Sequence, residues 1–222
     1  IIKTLETYEK NIGLDFDDRK YTLPMKYSLV CRVGNPSKVD EADARFRKLY
    51  KKFVNDLCKA DIIFGYRVKG YSHLTGTSCF KESKDKALQM FLKIYTETED
   101  AYITDIIGDL YYGGTETLEP FYEMAYQYYT ISALNGNQTS MLKVSDMLCR
   151  GRGTVRSEHV GKMMVFNLFD EAYRDFCRYN PESLLPDVTV RMGMIFDTGI
   201  DTKVDKLEAC KFYNIARYSL KK

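Results

Sequence analysis

His73 and His159 are the only histidines in the chain, and neither stands where catalytic or metal chemistry would need it. A zinc site carried by one helix asks for a second histidine one turn away, or a cysteine at ligand spacing, so that both ligands leave the same face. Both histidines lack that neighbour. A nucleophile–histidine couple is assembled in space and has no fixed sequence order, but no G-x-S-x-G elbow is present to expose a serine at a sharp turn. Cys31, Cys58, Cys79, Cys149, Cys177 and Cys210 include no CxxC pair, which argues against a zinc knuckle or a thioredoxin-type couple. Asp15, Asp17 and Asp18 lack the glycine and closing glutamate of a calcium loop and read as a solvated loop. Gly151-Arg152-Gly153 looks like half a phosphate loop, but no GK[ST] follows, so it reads as a turn between helices. Arg150, Arg152 and Arg156 crowd that turn and give it a capacity for anion contact. The expectation is no catalytic residue, no metal and no cofactor.

The rest of the composition is that of an ordinary soluble chain. The chain has 222 residues, 45% of them hydrophobic and 29% charged. At that size roughly 70% of the unfolded surface is buried on folding, enough for a core without disulfide or metal staples. The cysteines are therefore expected as free, buried thiols in a reducing, cytoplasmic compartment. The chain opens at Ile1, not Met, so a removed signal peptide, with a secreted or periplasmic location, remains the alternative. The formal charge of +2 argues against a dedicated nucleic-acid binder. No apolar run approaches the ~18 residues of a membrane span.

Internal repetition supplies the elements. One stretch runs Ile107-Gly108-Asp109-Leu110-Tyr111-Tyr112-Gly113-Gly114, then Ala125-Tyr126-Gln127-Tyr128-Tyr129, then Ser132-Ala133 and Gly136. A second runs Met192-Gly193-Met194-Ile195-Phe196-Asp197-Thr198-Gly199, then Ala209-Cys210-Lys211-Phe212-Tyr213 and Ala216. A looser copy lies between them, from Val144-Ser145-Asp146 to Gly151, then Gly161, Met164-Val165 and Leu168-Phe169. Gly108, Ser145 and Gly193 are each followed six residues later by a glycine, Gly114, Gly151 or Gly199. Ile103, Ile107, Leu110 and Tyr111 form a helical stripe, so each copy reads as a helix, a glycine-marked turn and a second helix. A glycine inside a helix costs about 0.5–1 kcal/mol. At Gly108 the reason is close approach of the partner helix, and Ser145 meets the same steric demand. The later glycines suit a C′ position with φ > 0. Tyr111, Tyr128, Tyr129 and Tyr213 are expected in the packing between helices, whereas Tyr112 and Tyr126 fall off the stripe and are surface candidates.

These residues resemble the SEL-like repeat, a relative of the tetratricopeptide repeat: LG-x-x-Y-x-x-G, a short turn, then A-x-x-(W/F/Y)-Y-x-x-A-A-x-x-G. The resemblance covers 85–220 well and 25–84 poorly. The middle copy departs from it, with Gly161 for alanine and Val165 for tyrosine. It implies an all-α, right-handed α/α solenoid of antiparallel helix pairs, organised as an N-terminal helix and polar loop (1–24), degenerate repeats (25–84) and SEL-like repeats (85–222). An insertion near 170–189 extends a helix through Tyr173, Phe176 and Cys177 and turns at Asn180-Pro181 and Leu185-Pro186. Upstream, a helix is expected over 1–12. Another spans Asp40–Leu57 and buries Phe46, Leu49, Tyr50, Phe53 and Leu57, and a damaged copy runs from Gly65 to Ala87 with an insertion around Ser72–Lys84. Packing stations are Gly108, Gly114, Ala125, Tyr129, Ser145, Gly151, Gly193, Gly199, Ala209 and Tyr213.

Such a solenoid offers a concave face lined by first helices. Its off-stripe residues are Asp105, Asp109 and Tyr112; Lys143, Asp146 and Arg150; and Arg191, Met194 and Asp197. The resemblance implies a non-enzymatic scaffold or adaptor that binds a protein or peptide there. A dedicated immunity or regulatory binder of one toxin or effector is an alternative. So is a β-lactam-binding or hydrolysing enzyme, as in secreted cysteine-rich relatives, although their paired cysteines are absent here. The sequence does not set the oligomeric state.

Overall fold

The computed structural model describes residues 22–33, 44–76, 80–178 and 183–220. The expected helix over 1–12, the acidic loop, Cys79, the side chains of Cys31 and Phe46 and the Asn180-Pro181 turn lie outside the described residues. Among the described residues there are ten α-helices and no strand. They are α1 (Leu23–Val33), α2 (Ala44–Lys59), α3 (Ile63–Thr75), α4 (Lys84–Thr98), α5 (Thr104–Gly113), α6 (Tyr122–Leu134), α7 (Gln138–Arg150), α8 (Glu158–Cys177), α9 (Leu185–Thr198) and α10 (Lys206–Ser219). The chain forms two compact units, Ile1–Asp100 with Thr115–Leu118, and Ala101–Gly114 with Glu119–Lys222.

Local chemistry sets the helix ends. Ser83, Asn137 and Asp205 accept from the backbone N–H groups of Lys86, Ser140 and Glu208, satisfying donors that a helix start leaves open. Leu185-Pro186 does not turn the chain as expected. Pro186 sits in the first turn of α9, where its missing N–H costs nothing. Likewise Pro24 opens α1 instead of closing the preceding loop. Helix α7 stops at Gly151, whose φ is +64°; Arg152 N–H then reaches the Met147 carbonyl at 2.9 Å, closing the turn.

In the first unit, α1 and α2 bury Val30, Leu49, Tyr50, Phe53, Val54 and Leu57. The repeat register is corrected in α3 and α4. The close approach that counts is at Gly70, not Gly65 alone: a Cβ on Gly70 would lie 3.0 Å from the Phe91 ring. Gly70, Gly76, Ala87 and Phe91 follow one another at the spacing of Gly108, Gly114, Ala125 and Tyr129. Ser72–Lys84 is therefore no insertion. The α4 start is closed by Thr115–Leu118. The Glu116 carboxylate accepts from Lys84 N–H at 2.7 Å and Asp85 N–H at 2.8 Å, and Asp85 accepts from Thr115 and Thr117. The Asp85 and Lys84 amides hold Glu116 below the usual carboxylate range, and the Thr115 hydroxyl does the same for Asp85.

In the second unit each helix packs on the next in sequence, so α5/α6, α7/α8 and α9/α10 are the three pairs. A Cβ on Gly108 would lie 2.5 Å from the Tyr129 ring, and one on Gly193 2.5 Å from the Tyr213 ring. The middle pair nests differently. The small residue there is Gly161 on the second helix, where a Cβ would meet Cys149 Sγ at 2.5 Å, and Ser145 Oγ donates to the Gly161 carbonyl at 2.8 Å. Ala125 and Ala209 are fully buried at the corresponding stations. Helix α8 runs through Tyr173 and Phe176 to Cys177, as the sequence suggests. The four described cysteines are free. Cys58 is buried, but Cys177 and Cys210 are exposed, contrary to the expected burial.

Two stability outcomes follow from these contacts. Gly193→Leu gains about 0.8 kcal/mol of helix propensity yet must displace the Tyr213 ring, and overpacking costs typically 1–3 kcal/mol or more. A net loss of about 2 kcal/mol is expected in urea unfolding, whereas Gly113→Ala, with nothing within 4 Å of its Cβ, should gain about 0.4–1 kcal/mol. The second outcome concerns His73. Buried in α3, it donates Nδ1–H to the Lys81 carbonyl at 2.9 Å. Burial, reinforced by Lys86, Lys69 and Lys51, pushes its pKa down, so the unfolded chain takes up the proton first. Its contribution to stability is intact above the ordinary histidine value near 6.5 and is lost as pH falls from there towards the depressed folded value. Unfolding measured from pH 7.5 to 5 should show this loss in the wild type and a flatter profile in His73→Asn.

Candidate functional site

The first helices of the second unit, α5, α7 and α9, lie side by side, and charge holds them in register. Lys143 on α7 donates to Asp105 at 2.9 Å and to Asp109 at 2.8 Å, both on α5. Asp105 also accepts from Ser140 Oγ at 2.5 Å, and Asp109 from Tyr129 OH at 2.6 Å. The Lys143 ammonium stands 4.8 Å from the centre of the Tyr129 ring. Burial, and then its bond to Asp109, push the Tyr129 phenol far above the ordinary tyrosine value, so it remains a donor. One repeat further on, Arg191 of α9 grips Asp146 of α7, with Nε 3.1 and 3.0 Å from its two oxygens and Nη2 at 2.8 Å. Lys143 and Arg191 occupy the same station, two residues before Ser145 and Gly193, and Asp109 and Asp146 each follow the small residue directly. The acid of one first helix therefore pairs with the base of the next, forming a ladder. At the corresponding place on α9 the acid is replaced by Met194, 38% exposed.

The structure thus brings Asp105, Asp109 and Lys143 into one network and Asp146 and Arg191 into another. Asp197 stands apart, paired with Lys206 at 2.7 Å. Tyr112 is half-buried. Its ring and that of Tyr122 form an edge-to-face pair 5.2 Å apart, and its hydroxyl accepts from Arg152 Nη1 at 2.6 Å. Tyr126 is half-buried against the α6–α7 core. Of the tyrosines placed in the packing, Tyr129 is buried, and Tyr111, Tyr128 and Tyr213 are half-buried. Arg150 is exposed and has no hydrogen-bond or ion-pair partner among the described residues.

Two open depressions mark this face. One, of about 230 Å³, lies between α5 and α7 over the Tyr129 ring, with Tyr112, Met147, Arg150 and Arg152 in its wall. The other, of about 450 Å³, lies between α7 and α9 over Val165, with Cys149, Arg150, Arg156, Met194 and Ile200 around it. Asp146 and Arg150 line both. Sequence reasoning missed Val165 and Arg152 as parts of this face. The signal was there, in the departure of the middle copy at Val165 and in the arginines of the turn. Among the described residues no cluster of three or more His, Cys, Asp or Glu side chains is placed to hold a metal, and no helix is long and apolar enough to cross a membrane.

Solved structures share this fold. A protective antigen of uropathogenic Escherichia coli displaying an SLR fold superposes with a TM-score of 0.62 at 16% identity, over 89% of this chain and 38% of its own. A Sel1 repeat protein from Oxalobacter formigenes superposes with a TM-score of 0.57 at 19% identity, over 77% of this chain and 63% of its own. The chain thus spans less than two thirds of either neighbour. No family model matches it, and no curated protein does. The fold is the SEL-like repeat α/α solenoid expected from the sequence.

The ladder yields a measurable coupling. Half-buried ion pairs of this kind are worth up to about 1 kcal/mol. A double-mutant cycle of Asp146→Asn and Arg191→Gln, read by urea unfolding, should return a coupling of about 0.5–1 kcal/mol that shrinks in high salt. Additive losses would show that the pair contributes nothing.

Proposed function

We propose that this protein is a non-enzymatic scaffold or adaptor that holds a protein or peptide partner on the face formed by α5, α7 and α9. The observation that carries this reading is the state of that face. Its acids and most of its bases are fixed against each other across successive helices, while Arg150 and Met194 are exposed beside two depressions. A surface ordered in advance loses little conformational entropy on binding. Arginine and aromatic side chains, such as Arg150 and Tyr112, are the residue types that anchor protein interfaces. The partner class is also the general role of the SEL-like repeat.

Site-specific photo-cross-linking tests this. A benzophenone amino acid at Met194, on α9, is compared with one at Leu207, which is exposed on the second helix α10. In extract of the native cell, adducts are expected from position 194 and not from position 207. Equal labelling, or labelling from 207 alone, would contradict the assignment of the face.

A further inference from the structure

The departure of the middle repeat from its own pattern has a spatial consequence. In the α5/α6 pair, Tyr129 rises from the second helix to floor the space between first helices, and the depression above it holds about 230 Å³. In the α7/α8 pair the same station is Val165, which is buried and has no ring to fill the space. The hollow between α7 and α9 is correspondingly larger, about 450 Å³, and its lining includes Val165, Met194, Ile195 and Ile200. A tyrosine there would have had to pass Ser145, whose Cβ stands where Gly108 and Gly193 have none. The exchange of Ser145 for glycine and of Val165 for tyrosine therefore belongs to one substitution in space, and what it leaves is an open apolar hollow.

Charge around this hollow is not neutralised evenly. Lys143 is paired with Asp105 and Asp109, Arg191 with Asp146, Arg156 with Glu158, and Lys206 with Asp197. Arg150 and Arg152 have no carboxylate partner among the described residues, and both stand in the wall of the smaller depression. Arg152 is held in place, its guanidinium 4.9 Å from the centre of the Tyr122 ring and bonded to the neutral Tyr112 hydroxyl. Arg150, free of any partner among the described residues, lines both depressions and so stands between the acid-seeking and the apolar parts of the face. Guanidinium binds carboxylate through two parallel hydrogen bonds, the geometry these side chains have left unused.

We propose that the face reads an extended peptide in which an acidic residue sits next to an apolar one: the apolar side chain enters the hollow over Val165, and the carboxylate reaches Arg150 and Arg152. This rests on the reading of the face as a partner-binding surface and names the chemistry it selects. The apolar contact supplies burial. The arginines supply direction and register, because a basic or neutral residue at the acidic position leaves them unpaired.

The test uses the full chain and a phage library of random twelve-residue peptides, followed by fluorescence polarisation with the enriched peptides. The expected pool carries Asp or Glu within two residues of Leu, Ile, Met or Phe. Arg150→Glu and Met194→Glu both change exposed side chains, so circular dichroism melting should match the wild type. Each is expected to weaken binding at least tenfold. A peptide with its acid changed to lysine should lose binding to the wild type and regain most of it on Arg150→Glu. Peptides that lose binding on Tyr112→Ala but bind Arg150→Glu and Met194→Glu like the wild type would overturn this proposal and leave the binding face standing. A pool without the acidic–apolar pairing would overturn it too. If no peptide is enriched above empty support, both readings fall.

Discussion

Where α3 crosses α4, α5 crosses α6 and α9 crosses α10, there is room for one ring and nothing opposite it. Gly108 faces Tyr129 and Gly193 faces Tyr213, each at a separation that a Cβ would violate, and Gly70 faces Phe91 at one that a Cβ would crowd. The glycine weakens its own helix by about 0.5–1 kcal/mol, and the ring's contact with the bare backbone offsets that loss through dispersion and burial. The interlock also fixes which residues of the first helix are left facing away from the pair. In the α5/α6 pair the same ring reaches through to the outer face, where its hydroxyl binds Asp109. Packing and surface are thus set by one side chain.

Once the pairs are nested, successive first helices come close enough for charge to act between them. The ladder of Asp109 with Lys143 and Asp146 with Arg191 repeats with the repeat itself. These pairs are partly exposed, and each contributes modestly. Their larger effect is on what remains. A face whose bases are mostly paired leaves a local residue of positive charge at Arg150 and Arg152, next to the gap in the ring pattern at Val165. The site proposed here is where two regularities, steric and electrostatic, fail together.

Much of the fold was legible in the sequence, because small residues and rings recur at fixed spacing and no tertiary information is needed to see them. The repeated spacing singles out Gly108 and Gly193, which lie against rings, and Ala125 and Ala209, which are buried, whereas at Ser145 the close approach moves to Gly161 on the facing helix. The station at Gly70 is harder to read, because the polar run from Ser72 to Lys84 resembles an insertion, whereas Ser72–Thr75 end α3, Gly76 follows with a left-handed φ, and Ser83 caps α4. Proline ends helices when it falls inside them, yet Pro186 stands in a first turn and starts one. The charged residues of the first helices are legible singly but not as pairs. Lys143 and Asp109 lie 34 positions apart, and which charges meet depends on how the helix pairs stack, a property absent from the local pattern. Val165 was visible as a departure from the repeat. That it opens a hollow follows only from the position of Tyr129 in the neighbouring pair.

The ring-over-glycine contact holds the helix pairs together, and proton NMR observes that contact directly. A glycine α-proton held against the face of a tyrosine is shifted well upfield by the ring current and shows Overhauser contacts to the ring protons. Gly108 should show both with Tyr129, and Gly193 with Tyr213, while Ser145 shows contacts to Gly161 and to no aromatic ring. Ordinary glycine shifts at 108 and 193, without ring contacts, would contradict the packing on which the helix pairs depend.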